Sequence, residues 1–310
     1  MIFVVGVGRS GTTLLQAMLN AHSRVAFIPE INFVRRFLAT NKLEKTMKKK
    51  GRDGLLQLLY RDRWIRRLDL DLTQVLPDFE DKKEGISLRT YQSLVDAYRK
   101  RTKKEKIGDK DPRSVEYLPL LKTHFPNATV IHIVRDPRDV LVSKFKAAWS
   151  KNKSIFRHVL VNKFQLWMAH KHADVFGDRF LEVNYEELVS KPEEVLERIC
   201  LSLGIEFEES MLMYHESAEN LVTDEELQWK REILGPLKPA NVGKWKKELT
   251  NWQVALVEEN VDLAFRHYGY SRSYPAISGI QSLSLKFTTM TVSVLVKTLY
   301  TGKCYLRKLY

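Results

Sequence analysis

Cysteine is scarce in this chain. The 310 residues contain only two, Cys200 and Cys304, which are far apart and lack the spacing of a metal site. Cys200 lies in the apolar pattern VLERICLSLGI, which favours a buried thiol over a disulfide partner. Nothing in the sequence requires an oxidising compartment, so we predict a cytoplasmic protein without a metal centre.

Long apolar runs are also missing. No stretch of about 18 or more apolar residues occurs, so the sequence predicts no membrane-spanning helix. The amino-terminal run MIFVV is too short for a signal peptide and has no basic residue before it. It is typical of the first buried strand of a fold.

Negative charge is in deficit. The chain has 38 acidic and 51 basic side chains, which gives a formal net charge of +13. This balance favours an anionic partner: a nucleotide, a sulfated or phosphorylated substrate, nucleic acid or an acidic membrane. The sequence contains no recognised nucleic-acid-binding module, so we do not expect a nucleic-acid partner.

Apolar residues, by contrast, make up 44% of the chain, enough for a full core. Apolar runs typical of strands alternate with helical patterns, which predicts an α/β fold: a doubly wound parallel sheet with helices on both faces. We predict one domain over residues 1–271, with a charged helical insertion at about 36–105. The predicted strands are 2–7, 25–30, 106–108, 129–134 and 180–185.

The carboxy-terminal tail, residues 272–310, differs in composition from the domain. Its segment TMTVSVLVKTLY is apolar but too short to span a bilayer, and lysines flank it. One interpretation is an interfacial anchor that makes peripheral contact with anionic lipid. The alternative is a terminal element that packs on the domain or on the second subunit of a homodimer.

The segment GVGRSGTTLL, residues 6–15, follows the first predicted strand and opens a predicted helix. Glycines at this position let the backbone turn sharply, so that successive N–H groups point at one anion. Gly6 and Gly11 have the spacing of a nucleotide-binding P-loop. However, Thr12 stands where that loop has its lysine, and the cation is instead Arg9, inside the loop.

With this loop the chain resembles the sulfotransferases that use 3′-phosphoadenosine-5′-phosphosulfate (PAPS). The resemblance implies a P-loop-like phosphosulfate loop and transfer of a sulfuryl group from PAPS to an acceptor by in-line displacement. It also implies that the loop contacts the 5′-phosphosulfate of the donor. The loop residues assigned in this way are Arg9, Ser10, Gly11, Thr12 and Thr13.

The second half of the family's signature is a strand that ends in arginine, with a serine eight residues later in the next helix. The segment VIHIVRDPRDVLVSKF supplies it with Arg135 and Ser143. The resemblance implies that both bind the 3′-phosphate of the donor. A phosphate remote from the transferring group needs its own cation and hydroxyl.

Other segments resemble the tyrosylprotein sulfotransferase branch of the family. The stretch RSGTTLLQAMLNAHSRVAFIPE places the general base at Glu30, and DKDP places a catalytic lysine at Lys110. Glu30 would take the proton of the acceptor hydroxyl. Lys110 and Arg9 would stabilise the negative charge that develops during transfer. We interpret two further candidates, His22 and His132, as structural residues.

Two later segments complete the implied donor site. VNYEELVSKPEEVLERI resembles a family segment whose tyrosine, here Tyr185, touches the nucleotide. NVGKWKKEL is similar to a Gly-x-Trp closing loop, but Lys-Pro-Ala stands upstream where the cytosolic branch has Arg-Lys-Gly. Lys238 and Lys244 are therefore the candidate phosphate ligands in this region.

Two other functions remain open from the residues alone. A P-loop kinase that uses ATP and magnesium could take Asp136, which follows an apolar strand, as its magnesium-binding acid. A non-enzymatic binder of anions or membranes would also fit the positive charge. For a sulfotransferase, the acceptor could be a glycan, a lipid, a small molecule or a protein tyrosine.

Overall fold

A parallel sheet lies at the centre of the computed structural model, which describes residues 1–79, 85–150, 152–216, 231–237 and 241–308. Its strands are β1 (Ile2–Gly6), β2 (Val25–Phe27), β3 (Lys106–Lys110), β4 (Thr129–Val134) and β5 (Phe180–Asn184). The strand order is β2-β3-β1-β4-β5, and every neighbouring pair is parallel. The predicted doubly wound parallel sheet is confirmed.

Strand β1 lies in the middle of the sheet and is buried on both faces. It pairs with β3 on one side and with β4 on the other. Its side chains alternate: Phe3 and Val5 belong to one apolar cluster, whereas Ile2 and Val4 belong to another. Because both faces are covered, the strand is a continuous apolar run instead of an alternating one.

Helices cover both faces of this sheet, as predicted. In the part of the chain that the structure describes, the α-helices are α1 (Thr12–Asn20), α2 (Lys42–Tyr60), α3 (Leu72–Val75), α4 (Ile86–Thr102), α5 (Leu118–His124), α6 (Pro137–Lys146), α7 (Ile155–His172), α8 (Tyr185–Ser190), α9 (Pro192–Leu203), α10 (Trp245–Glu248), α11 (Asn251–Asn260), α12 (Asp262–His267) and α13 (Gly279–Lys308). Helices α1, α8 and α9 pack on the Ile2 face, while α2, α4 and α5 pack on the Phe3 face.

Helices α2, α3 and α4 lie in the segment predicted as a helical insertion. An aromatic cluster joins α4 to the sheet: the ring of Tyr91 lies 5.5 Å from that of Phe125, which lies 5.4 Å from that of Phe3 in β1. The buried Tyr91 hydroxyl donates a 2.6 Å hydrogen bond to Oδ2 of Asp109 in β3. The insertion is therefore docked on the sheet by both apolar packing and a buried hydrogen bond.

Two predicted elements differ from the structure in their bounds. The second strand ends at Phe27 and not at residue 30, since Pro29 lacks the N–H that the ladder needs. Glu30 therefore lies in the loop after the strand. The predicted last amphipathic helix is divided into α11 and α12 at Val261, whose backbone is not helical.

Cys200 is buried, as predicted, and burial raises the pKa of its thiol to about 11.

The tail forms helix α13, which packs on the domain through Leu285, Val292 and Val296. Its contacts are with α7 and α11. The Asn260 side chain also donates a 3.2 Å hydrogen bond to the Thr289 hydroxyl. Among the described residues, none of the helices combines the length and the apolar character that a membrane crossing requires.

The Asp109 carboxyl should make stability depend on pH. Burial raises its pKa to about 7, well above the unfolded value of 3.8, so the folded protein holds a proton that the unfolded chain releases. This group's contribution to stability is therefore lost as pH rises from about 4 through 7. Asp109→Asn keeps an acceptor for Tyr91 but removes the titration. We expect its Tm, relative to the wild type, to rise by several degrees between about pH 5 and pH 8.

Thermal melts of both proteins across this pH range measure the difference. Asp178→Asn, at an exposed carboxylate, is the matched control and should follow the wild-type profile. A difference between Asp109→Asn and the wild type that stays constant with pH would contradict the expectation.

Candidate functional site

The predicted site residues meet at one edge of the sheet. The glycine loop follows β1, Glu30 follows β2, Lys110 ends β3, Arg135 follows β4 and Tyr185 follows β5. The carboxyl ends of parallel strands share an edge, and in open α/β sheets ligands bind in the crevice beyond it. Every strand therefore contributes one of the predicted residues to this edge.

The loop after β1 depends on glycine where other elements approach it closely. Gly11 has φ 97°, a left-handed conformation, and a Cβ there would lie 2.4 Å from Cδ2 of Tyr185. A Cβ at Gly6 would lie 2.5 Å from the carbonyl oxygen of Ile133 in β4. Helix α1 then begins at Thr12 with neither a side-chain cap nor an acidic residue in its first turn. Its first N–H groups thus form an anion-binding end.

Arg9 joins this loop to helix α6. Its φ of 80° is strained for a residue with a side chain, as is common at functional sites. Its Nε donates a 2.9 Å hydrogen bond to Ser143 Oγ, and its carbonyl accepts a 3.3 Å bond from Arg135 Nη1. The structure therefore brings together the residues predicted for the 5′-phosphosulfate and those predicted for the 3′-phosphate.

Arg135 is held by its surroundings but keeps unused donor capacity. Its guanidinium lies 4.3 Å from the centre of the Tyr185 ring, and its Nη2 donates to the Asn241 carbonyl at 2.6 Å. Among the described residues, neither Arg135 Nε nor Ser10 Oγ has a hydrogen-bond partner, although both atoms are buried. Buried polar atoms are normally satisfied, and these two could donate to an oxyanion bound at this edge.

The Gly-x-Trp segment is clamped to the same edge by Asp139. This buried carboxylate accepts hydrogen bonds from the N–H groups of Gly243, at 2.7 Å, and Trp245, at 2.9 Å. Lys244 donates to the side-chain oxygen of Asn241, whose carbonyl binds Arg135. The predicted ligand Lys244 is thus placed in the loop next to Arg135. Lys238, the other candidate, lies outside the described residues.

Asp136 is committed to the fold. Its carboxylate caps α6 by accepting the N–H of Arg138 at 2.9 Å, and the Arg138 guanidinium binds it at 2.7 Å. Arg138 also pairs with the buried Glu258 at 2.6 Å and stacks on Trp245 at 3.8 Å. A carboxylate held in this way is not presented to a cleft. This geometry is evidence against a P-loop kinase, which would need Asp136 to bind magnesium.

Glu30 and Lys110 form an ion pair. The lysine reaches across from β3 to the loop after β2. The Lys110 side chain is only 2% exposed and that of Glu30 is 21% exposed, so the pair faces solvent through its carboxylate. Arg35 binds Asp111 at 3.3 Å, while burial and then the Glu30 charge raise the pKa of Asp111 to about 6.

A cleft opens between the glycine loop and the segment after α9. Predicted ligands form part of its lining, and the remaining lining residues are largely apolar and aromatic and carry no motif that could have revealed them. Such an apolar lining suits a flat ring. These residues are Leu14, Val189, Tyr214, Ile233, Pro236, Leu237 and Asn241.

The two histidines considered as candidates, His22 and His132, are both buried. His22 is buried and bonds through Nε2 to the carbonyl of Glu206 at 2.8 Å, while its Nδ1 accepts the N–H of Arg24. His132 is fully buried inside β4, with Nδ1 3.4 Å from Glu182. Both are held within the fold, in agreement with the structural interpretation.

Known proteins share this chain's sequence pattern. An uncharacterised protein of Aquifex aeolicus is 26% identical over 254 residues, which are 79% of this chain and 30% of that protein. Protein-tyrosine sulfotransferase 2 of Gallus gallus is 27% identical over 227 residues, 70% of this chain and 54% of that enzyme. The chain therefore spans about half or less of the length of these two relatives.

The fold also matches solved structures. The sulfotransferase domain of the Synechococcus PCC 7002 olefin synthase superposes with a TM-score of 0.56 at 22% identity, covering 93% of each chain. The sulfotransferase family matches residues 2–209 of this sequence, a range that holds the glycine loop and both Arg135 and Ser143. By fold and by sequence, this chain is a member of the sulfotransferase family.

Proposed function

We propose that this protein transfers a sulfuryl group from PAPS to an acceptor hydroxyl. The observation that carries the proposal is the cluster of Arg9, Arg135 and Ser143 at the carboxyl edge of the sheet. Two cations and a hydroxyl from separate motifs meet there, beside the Tyr185 ring. Two buried polar atoms of this region, Arg135 Nε and Ser10 Oγ, have no hydrogen-bond partner among the described residues. This donor set fits a doubly phosphorylated nucleotide.

The residues present fit the two anionic ends of such a nucleotide. The first N–H groups of α1 with Ser10, Thr12 and Thr13 would hold the 5′-phosphosulfate. Arg135 and Ser143 would hold the 3′-phosphate, with Lys244 nearby. The Ser143 hydroxyl can accept from Arg9 and still donate to a phosphate oxygen. When bound, PAPS supplies the activated sulfuryl group.

Glu30 and Lys110 would act on the acceptor side. The lysine holds the Glu30 carboxylate in place, where it could accept the proton of a hydroxyl placed beside it. Lys110 is paired in register with Val4, two residues before the loop begins, so its backbone lies beside the start of the donor loop. Lys110 and Arg9 would together stabilise negative charge between donor and acceptor.

The acceptor belongs to a class defined by one nucleophilic hydroxyl. The Gallus gallus relative is named for protein tyrosine, and this supports a phenolic hydroxyl as one candidate. A glycan, lipid or small-molecule alcohol presents the same group to Glu30. The cytoplasmic location and the homodimer stay predictions of the sequence.

The general base can be tested by Glu30→Gln. This variant keeps the size of the side chain but cannot take a proton, so we expect sulfuryl transfer to fall by about 10²–10⁴-fold. Affinity for adenosine 3′,5′-bisphosphate (PAP) should stay within about threefold of the wild type, since Glu30 is assigned to the acceptor and not to either phosphate of the donor. Transfer from labelled PAPS to a panel of tyrosine peptides, sugars and alcohols measures the first, and calorimetry the second.

The matched control is Glu105→Gln, at an exposed carboxylate paired with Arg24 just before the amino end of β3. It should leave transfer unchanged. Full activity in Glu30→Gln would disprove its role as the base.

The 3′-phosphate site can be tested by Arg135→Met without knowledge of the acceptor. Loss of a charge-assisted hydrogen bond should weaken PAP binding by roughly 10–100-fold. Binding of adenosine 5′-monophosphate, which lacks the 3′-phosphate, should weaken far less. Calorimetric titration of both nucleotides gives the two ratios.

Arg179→Met serves as control, because Arg179 is exposed and bonds only the Asn127 carbonyl at 2.7 Å among the contacts described. Equal losses for both nucleotides in Arg135→Met would show that Arg135 does not read the 3′-phosphate. ATP with magnesium binding more tightly than PAP would overturn the proposed function itself.

A further inference from the structure

Helix α13 has two apolar sides, and only one of them packs on the domain. The inner side consists of Leu285, Val292 and Val296, all less than 9% exposed. They lie against α7 and α11, together with Phe164 and Met168 of α7. This side accounts for the attachment of the tail.

The outer side of α13 carries large apolar side chains that are mostly exposed to solvent. Ile280 is 85% exposed and Phe287 is 67% exposed. The spacing of the members is alternately three and four residues, so they form one continuous stripe along the helix. The stripe, called the outer face below, is Ile280, Leu283, Phe287, Met290 and Val294.

Lysines line one flank of the outer face. At 100° per residue, Lys286 and Lys297 project roughly 80–100° from Phe287 in the same direction. Both are exposed. On that flank Lys163 of α7 donates to Ser293 at 3.1 Å, and Lys171 of α7 lies 4.0 Å from the Tyr300 ring. Two helices thus supply an apolar stripe with a basic border.

The charge of the tail indicates what kind of surface the outer face binds. From residue 263 to the end, the sequence contains seven Lys or Arg and no Asp or Glu. The stripe has the spacing of a coiled-coil seam, but a second copy of α13 would bring Lys286 and Lys297 to a helix without an acidic partner. An anionic lipid surface can bury the apolar side chains of the stripe and also supplies negative charges for the lysines.

We propose that the outer face of α13 binds the surface of a membrane that contains anionic lipid. The helix would lie along the interface, with Phe287 and its neighbours in the headgroup region and the lysines at the phosphates. The domain would stay attached through the inner side of the same helix. This binding is independent of the sulfuryl transfer proposed above.

Vesicle sedimentation tests the proposal. The full chain is mixed with vesicles of phosphatidylcholine, with or without about 30 mol % phosphatidylserine. We expect at least about tenfold tighter binding to the vesicles with phosphatidylserine. Phe287→Ser combined with Met290→Ser should reduce this binding by about tenfold or more, because both side chains are exposed and only the stripe is altered. Lys286→Glu combined with Lys297→Glu should abolish the preference for phosphatidylserine.

Matched controls alter similar residues elsewhere. Leu201→Ser removes an apolar side chain of α9 that is 82% exposed, and Lys48→Glu with Lys49→Glu reverses two exposed charges of α2. Both should bind like the wild type, and unchanged melting curves and PAP affinity should show that every variant is folded.

Three results would overturn the proposal. The wild type could fail to bind phosphatidylserine vesicles, or the Phe287→Ser, Met290→Ser variant could bind as well as the wild type. The third is a lipid-free dimer that this variant converts to a monomer, with no vesicle binding. That result would assign the outer face to a second copy of the chain.

Discussion

Parallel pairing of the five strands is the constraint on which the rest of the molecule depends. Because all strands run in one direction, the segments that follow them leave the sheet at one edge, however far apart they are in sequence. Arg9, Glu30, Lys110, Arg135 and Tyr185 become neighbours for this reason alone. The central position of β1 then places the glycine loop between the residue pair after β2 and β3 and the cations after β4.

Charge at this edge is arranged by removing carboxylates from the cleft. Arg138 neutralises Asp136 and Glu258, and the backbone N–H groups of Gly243 and Trp245 occupy Asp139. Asp136 and Asp139, the acids next to Arg135 in sequence, are thus paired within the fold. Among the described residues, Arg135 Nε has no hydrogen-bond partner. Buried ion pairs of this kind contribute little net stability. Here they leave the donor side of the cleft cationic.

The predictable part of the site is the part encoded by local sequence. A strand, a tight turn and a helix lie within about ten residues of each other at the glycine loop and again at Arg135 and Ser143, so each motif is continuous in sequence and the family resemblance could assign its residues. Contacts between remote segments could not be predicted from local sequence. Examples are the Glu30–Lys110 pair, the clamp by Asp139 and the hydrogen bond from Tyr91 to Asp109. The apolar residues that line the cleft carry no motif, and they come together only on folding.

The tail shows why the two interpretations from the sequence were not exclusive. An amphipathic segment is usually assigned either to packing or to an interface, yet a helix of 30 residues has room for two apolar sides. Because the inner side packs on α7 and α11, the direction in which the outer face points is fixed. The same α11 carries Glu258, which accepts both Arg138 and the N–H of Ser273 in the segment leading to α13. Through Arg138, which stacks on Trp245, this carboxylate links the segment that leads to the tail helix with the Gly-x-Trp loop, so the outer face has a fixed orientation relative to the edge of the sheet that carries Arg135.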